Sequence, residues 1–180
     1  MSNSTQKYLK KIKSIHASLS IPESLISKRN LPMHEEASNL VFADFDENGK
    51  AHRLIGNANR SWQAMKTAAA KDNITLIVVS GFRSPEYQET LIRKKLKQGE
   101  KIENILKLLA PPGYSEHHTG RALDLNTPGC SPCEVSFEKT KAFEWLKKRA
   151  GEFHFYLSYP KDNQYGFVYE PWHWAYQEPA

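Results

Sequence analysis

One run of the chain, ITLIVVSGF from Ile74 to Phe82, is dense in β-branched residues and bounded by Asn73 and a turn at Ser84-Pro85. That make-up predicts a buried strand, and a buried strand needs partners along its edges and apolar cover on its faces. Other strand signals come at irregular intervals. Leu40-Val41-Phe42 and His52-Arg53-Leu54-Ile55 flank the turn signal Asn48-Gly49, so a hairpin is expected. ALDL (122–125) reads as a short strand, and two aromatic-rich strands, FHFYLSY and FVYEPWHW, finish the chain close enough to pair antiparallel. Helical periodicity lies between them. It covers 5–19 (Leu9, Ile12, Ile15, Leu19) and 61–71, with Ser61 as cap and Trp62, Met65 and Ala69 on one face. A third helix opens at the Ser84 cap with Pro85 in its first turn and ends at Gly99, a short one covers 102–109, and the last covers 137–150. Helices and strands intermix without a βαβ rhythm, which makes the class α+β.

A chain of 180 residues is long enough for one domain with a real core. The expected organisation is an N-terminal helix and lead-in over 1–50, packed on a domain over 51–180, a single domain overall. The formal charge of +5 is modest, and the basic runs near Lys7–Lys13 and Arg93–Lys97 lack interleaved aromatics, which argues against nucleic-acid binding. The helix over 5–19 is basic, but its apolar stripe reads as docking on the protein's own core rather than on a membrane surface. No apolar run reaches membrane-span length, and the first residues lack the apolar segment of a signal peptide, so the expected location is the cytoplasm, with export by another route or a trimmed N-terminus as the alternative, and the expected state a monomer. The two cysteines, Cys130 and Cys133, lack the second pair of a zinc knuckle and read as reduced loop residues, with a local disulfide as the alternative.

The chemistry concentrates at three places. In SEHHTGRALD (115–124), alternation on the strand turns Leu123 and Leu125 to the core and leaves Asp124 on the other face, while Gly120 allows a tight turn just before it. His117 sits on the loop upstream. Imidazole and carboxylate both suit zinc, and a catalytic zinc takes three protein ligands, so a third is owed from elsewhere. EPWHW near the C-terminus supplies a candidate: Pro171 interrupts ladder bonding and bends the chain, so His173 can ligate and Glu170 can act as a base. Trp172 and Trp174 are expected to wall the site. The third place is SGFRSPEYQ, where Arg83 stands between strand and helix, able to hold a carboxylate or an oxyanion, with Gln88 one turn further on. Taken singly, each has a plain structural reading: a surface His–Asp hydrogen bond, an Arg83 salt bridge, an exposed Glu170. His118 is the rival of His117 as ligand, and otherwise faces solvent or donates from behind. His16, His34, His52 and His154 read as structural.

SGFRSPEYQ, LAPPGYSEHHTGRALDL and YEPWHW, in this order, resemble the D-alanyl-D-alanine carboxypeptidases of the vancomycin-resistance type. These belong to the LAS group of zinc peptidases, named for lysostaphin, the carboxypeptidases and the hedgehog signalling domain. The pattern S-x-H-x-x-G-x-A-x-D is matched by Ser115, His117, Gly120, Ala122 and Asp124, and E-x-x-H by Glu170 and His173. FEKTKAFEWL and LSYP extend the likeness from about Leu54 to Tyr176. The resemblance implies a small hedgehog/D-Ala-D-Ala peptidase-like fold with a central antiparallel sheet flanked by helices. It implies one zinc ion (Zn2+) held by His117, Asp124 and His173, with Glu170 as catalytic base and Arg83 stabilising the tetrahedral intermediate. Ser115 and Gln88 match positions that meet the C-terminal carboxylate of the leaving D-alanine. The implied activity is zinc-dependent removal of the terminal D-alanine from peptidoglycan stem peptides or muropeptides by activated water. A lysin-like peptidoglycan endopeptidase and a non-catalytic zinc-containing recognition domain are the alternatives. The choice between D,D- and L,D-cleavage stays open.

Overall fold

A computed structural model describes residues 3–179. The chain opens with helix α1 (Asn3–Ser18) and the one-turn helix α2 (Ser24–Ser27). The hairpin strands β1 (Leu40–Phe45) and β2 (Ala51–Ile55) follow, then helix α3 (Gly56–Lys71) and strand β3 (Ile77–Ser80). Helices α4 (Pro85–Lys97) and α5 (Ile102–Leu108) lead to a 3-10 turn, Glu116–Thr119, and strand β4 (Ala122–Asn126). Helix α6 (Lys141–Arg149) and strands β5 (Phe155–Leu157) and β6 (His173–Tyr176) complete the fold.

Two antiparallel sheets result: the hairpin β1-β2, and a four-stranded sheet in the order β3-β4-β6-β5. The α+β class and the central antiparallel sheet are those expected from the sequence. β4 is interior and buried at every position. Its pleat sends Leu123 and Leu125 into a core shared with Trp62, Met65 and Ala69 of α3 and Phe143, Trp145 and Leu146 of α6. Asp124 therefore points to the opposite face, in register with Ser80 of β3 and His173 of β6. The hairpin turn forms as predicted: Asp46 Oδ1 accepts from the amides of Asn48 and Lys50, and Gly49 takes φ +77°. This hairpin straddles position 50 and joins the lead-in to the rest through backbone pairing.

A second apolar cluster joins α1 and α2 to the other helices. Ile15, Leu19, Ile21 and Ile26 pack with Ile92 of α4 and Ile105 and Leu106 of α5. Ile12 lies so close to Gly113 that a Cβ there would come within 2.9 Å of it. The apolar stripe of this basic helix is spent inside the protein. Among the described residues, no helix is long and apolar enough to cross a membrane.

Four expectations need correction. Helix α3 starts at Gly56, so Ser61 lies inside it rather than capping it. β2 runs straight into the helix, with extended Ile55 at the cap position and no side chain needed. The helix expected over 137–150 is broken at Thr140. There Oγ1 accepts from the Phe143 amide at 3.1 Å and donates to the Phe137 carbonyl at 2.8 Å, separating a 3-10 turn from α6. The buried run at 74–82 pairs only over Ile77–Ser80, because its ends turn away into loops. The terminal strands are also shorter. His154 at φ +60° delays β5, and Pro171, lacking an amide hydrogen, holds β6 off until His173, leaving Glu170 on irregular chain.

Replacing Thr140 with Ala removes the α6 cap and should lower stability by about 1 kcal/mol, read as a shifted urea midpoint with unchanged slope.

Candidate metal centre

The pleat of β4 and its pairing with β6 set Asp124 beside His173, and the 3-10 turn before β4 brings in His117. Among the described residues, His117, Asp124 and His173 form the one group of potential metal ligands, with all three donor atoms within 4.8 Å of one another. All three side chains are buried.

The turn is held from both sides. His117 Nδ1 donates to the Gly81 carbonyl at 2.7 Å, and the Arg83 amide donates to the His117 carbonyl at 3.2 Å. Because a carbonyl only accepts, the proton sits on Nδ1, and Nε2 carries a bare lone pair. That nitrogen has no hydrogen-bond partner among the described residues, and it faces Asp124 Oδ2 at 3.2 Å. Burial, aided by the Arg83 charge, brings the His117 imidazole down to about 4, so it is neutral near pH 7. Burial resists ionisation of Asp124, but the hydrogen bond from His173 and the nearby Arg83 charge hold its carboxyl well below the ordinary range. A buried lone pair facing a carboxylate oxygen calls for a cation. The 3.2 Å spacing fits two ligands of a tetrahedral zinc, whose ~2.0–2.1 Å bonds place ligands about 3.3 Å apart. The donor set thus fits zinc, with His117, Asp124 and His173 as the residues that would hold it.

Around this centre stand the other candidates. Glu170 Oε2 lies 3.9 Å from His173 Nδ1. Burial pushes the Glu170 carboxyl up to about 7, against the pull of His173 and with Asp124 reinforcing the rise. The bend predicted at Pro171 is real: the Glu170 amide donates to Tyr159 O at 3.0 Å, and the His173 amide donates to Glu170 O at 3.1 Å. Arg83 Nη2 reaches Asp124 Oδ2 at 3.3 Å, while its buried Nε has no hydrogen-bond partner among the described residues. A cleft lined by Arg83, Gln88, Ser115, His117, Glu170 and His173 encloses about 20 Å³, room for about one water. Gln88 donates through Nε2 to the Ala110 carbonyl at 2.9 Å, so one amide hydrogen and Oε1, which has no partner among the described residues, remain for the cleft. The larger hollows, such as one of about 570 Å³ beside Asp72 and Arg149, contain none of these groups.

The structure differs from the sequence reading at two tryptophans and decides between the two roles expected of His118, which is fully buried and donates from behind rather than facing solvent. His118 donates from Nδ1 to Arg83 O at 2.6 Å and accepts at Nε2 from the Gly113 amide at 3.0 Å, so both nitrogens are used. Trp174 does not wall the site, because period-two alternation sets it opposite Leu123, and it packs on Phe143 in the core. Trp172 also packs against that core. Tyr159 takes the expected place of the tryptophans, its ring 4.6 Å from that of His173. Tyr159 and Glu116, which bonds His173 Nε2 at 2.8 Å, went unnoticed in the sequence. Glu116 adjoins His117 in the chain, but no spacing rule marks it. Cys130 and Cys133 are free thiols.

Residues 51–179 match the VanY family of D-alanyl-D-alanine carboxypeptidases. The chain belongs to this family. It is 30% identical over 167 residues to the putative carboxypeptidase YodJ of Bacillus subtilis (strain 168), an alignment covering 86% of the chain and 60% of that relative. Among solved structures, the LdcB LD-carboxypeptidase superposes with a TM-score of 0.69 at 29% identity, over 81% of this chain and 71% of LdcB. VanYB, solved in complex with D-alanine-D-alanine, gives 0.63 at 26% identity, over 83% and 82%. The family match starts inside the hairpin, at the first residue of β2.

His117→Ala should lose bound zinc. His118→Ala should keep it while costing about 1–3 kcal/mol for the stranded Arg83 carbonyl and Gly113 amide. Elemental analysis beside thermal melting reads both.

Proposed function

We propose that this chain is a zinc-dependent carboxypeptidase that removes the terminal D-alanine from peptidoglycan stem peptides, with one ion held by His117, Asp124 and His173. The observation that carries the reading is the bare His117 Nε2 facing Asp124 Oδ2, with a buried carboxyl raised to about 7 close by. When bound, zinc supplies a Lewis acid that acidifies a water and polarises the scissile carbonyl.

The chain's own residues do the rest. Glu170, poised near neutrality, takes a proton from the attacking water and returns it to the leaving amine. Arg83 offers guanidinium hydrogens where negative charge develops on the carbonyl oxygen, and its link to Asp124 fixes its reach. Ser115 and the remaining Gln88 hydrogen serve the substrate's C-terminal carboxylate. Tyr159, whose hydroxyl burial pushes well above its ordinary range, stays protonated and closes one wall. The cleft as it stands is water-sized, so admitting a peptide end requires a wall side chain to swing. Leu108, 42% exposed at the rim, has the freedom to do so.

A second reading concerns the bond cut. Release of D-alanine from an L-centre stands beside release from a D-centre because both an LD-carboxypeptidase, LdcB, and a protein solved with D-alanine-D-alanine, VanYB, share this fold. Tetrapeptide and pentapeptide stems, with products weighed by mass spectrometry, separate the two. Cleavage within a cross-bridge and no loss of D-alanine from either would instead mark an endopeptidase.

Three substitutions test the assignment. Glu170→Ala should keep zinc and lose about 10²–10⁴-fold in turnover, whereas His173→Ala should lose both. Full D-alanine release by Glu170→Ala would sink the role of the base. Arg83→Ala should lower kcat by about 10²–10³-fold at unchanged zinc content.

A further inference from the structure

We propose that Glu116 is a positioning residue for the metal centre: its carboxylate holds His173 with the proton on Nε2, so that Nδ1 is the atom presented to the ion. This rests on the reading of His117, Asp124 and His173 as a zinc site.

The geometry around the His173 ring is two-sided. Nδ1 lies 3.0 Å from Asp124 Oδ1 and 3.9 Å from Glu170 Oε2, so this edge faces the other ligand and the base. Nε2 meets Glu116 Oε2 at 2.8 Å on the other edge. Glu116 is not part of the 4.8 Å donor cluster, so it braces a ligand and is not one itself. The ring is buried, with Tyr159 at 4.6 Å and the His117 ring at 4.9 Å. Glu116 is therefore the group that answers the Nε2 hydrogen. Glu116 also takes a hydrogen bond from Ser158, which limits its own freedom.

The two histidines are braced differently. His117 donates its far hydrogen to a neutral carbonyl, that of Gly81, whereas His173 donates to a charged carboxylate. A carboxylate behind an imidazole fixes the tautomer and makes the opposite nitrogen a stronger donor to a metal. Glu116 and His117 are adjacent on one 3-10 turn, so a single turn supplies one ligand and the brace of another.

The test uses the full chain. Zinc affinity is measured by chelator competition, the cobalt(II)-substituted protein by its visible spectrum, and the His173 tautomer by nitrogen-15 NMR. Glu116→Ala should weaken zinc about 10–100-fold, shift the cobalt bands and mix the His173 tautomers. Glu116→Gln is nearly isosteric and keeps an oxygen acceptor. It should preserve the tautomer and lose affinity at the lower end of that range, so the test survives if the alanine variant does not fold. Wild-type affinity together with an unchanged cobalt spectrum in either variant would overturn the proposal. A wild-type chain that binds neither zinc nor cobalt would overturn the metal-site reading itself, and that is known before any variant is made.

Discussion

Everything at the centre depends on how two loops are stitched together. Residues 81–83, between β3 and α4, and residues 117–118, just before β4, exchange hydrogen bonds in both directions. Gly81 O accepts from the His117 ring, the Arg83 amide donates to His117 O, and Arg83 O accepts from the His118 ring. Each bond answers a backbone group in the buried or partly buried interior, so losing any one costs stability. His118 then reaches on to the Gly113 amide and ties in a third loop. The same stitching fixes the tautomer of His117 and the origin of the Arg83 side chain. A polar constellation built on loops thereby gains the rigidity of a sheet.

The sheet supplies the remaining alignment through its pleat. Pairing of Asp124 with His173 across β4 and β6 puts a carboxylate and an imidazole side by side on one face, and Leu123 with Trp174 on the other. The arrangement carries electrostatic stress: Asp124, His173, Glu170 and Arg83 are drawn together in a largely buried space. Charges so placed are tolerable only when they satisfy one another or a bound cation, since unpaired burial costs several kcal/mol. The divergent behaviour of the two nearby carboxyls, Asp124 held low and Glu170 raised to about 7, follows from the number of donors around each.

Much of this was legible in the residues. Period-two alternation in ALDL and period-three-to-four stripes in α1 and α3 found the core positions, because burial imposes those periods directly. The three motifs identified the family. Boundaries were less legible where backbone geometry, not a side chain, sets the start of an element, as at Gly56, or where a competing cap intervenes, as at Thr140. Trp174 was misplaced because it follows His173 directly on one strand, and alternation sends adjacent side chains to opposite faces. The burial of His118 and the brace at Glu116 arise from contacts between segments distant in sequence, and no local pattern encodes those.

The fit at Gly81 has a reach beyond its own loop. A Cβ there would come within 2.9 Å of the Arg53 carbonyl in β2, and the Phe82 amide is bonded to that same carbonyl at 2.9 Å. The hairpin thus acts as a backstop for the carbonyl that orients His117. Drift is therefore permitted unevenly across the molecule. Beside Gly49 in the hairpin tip and Gly129 in the 127–134 loop there is open space, so only the positive φ of these two glycines, +77° and +81°, limits substitution there, and the neighbouring surface is free to change. The strip where Arg53 meets Gly81 is not, although neither residue would ever touch a substrate.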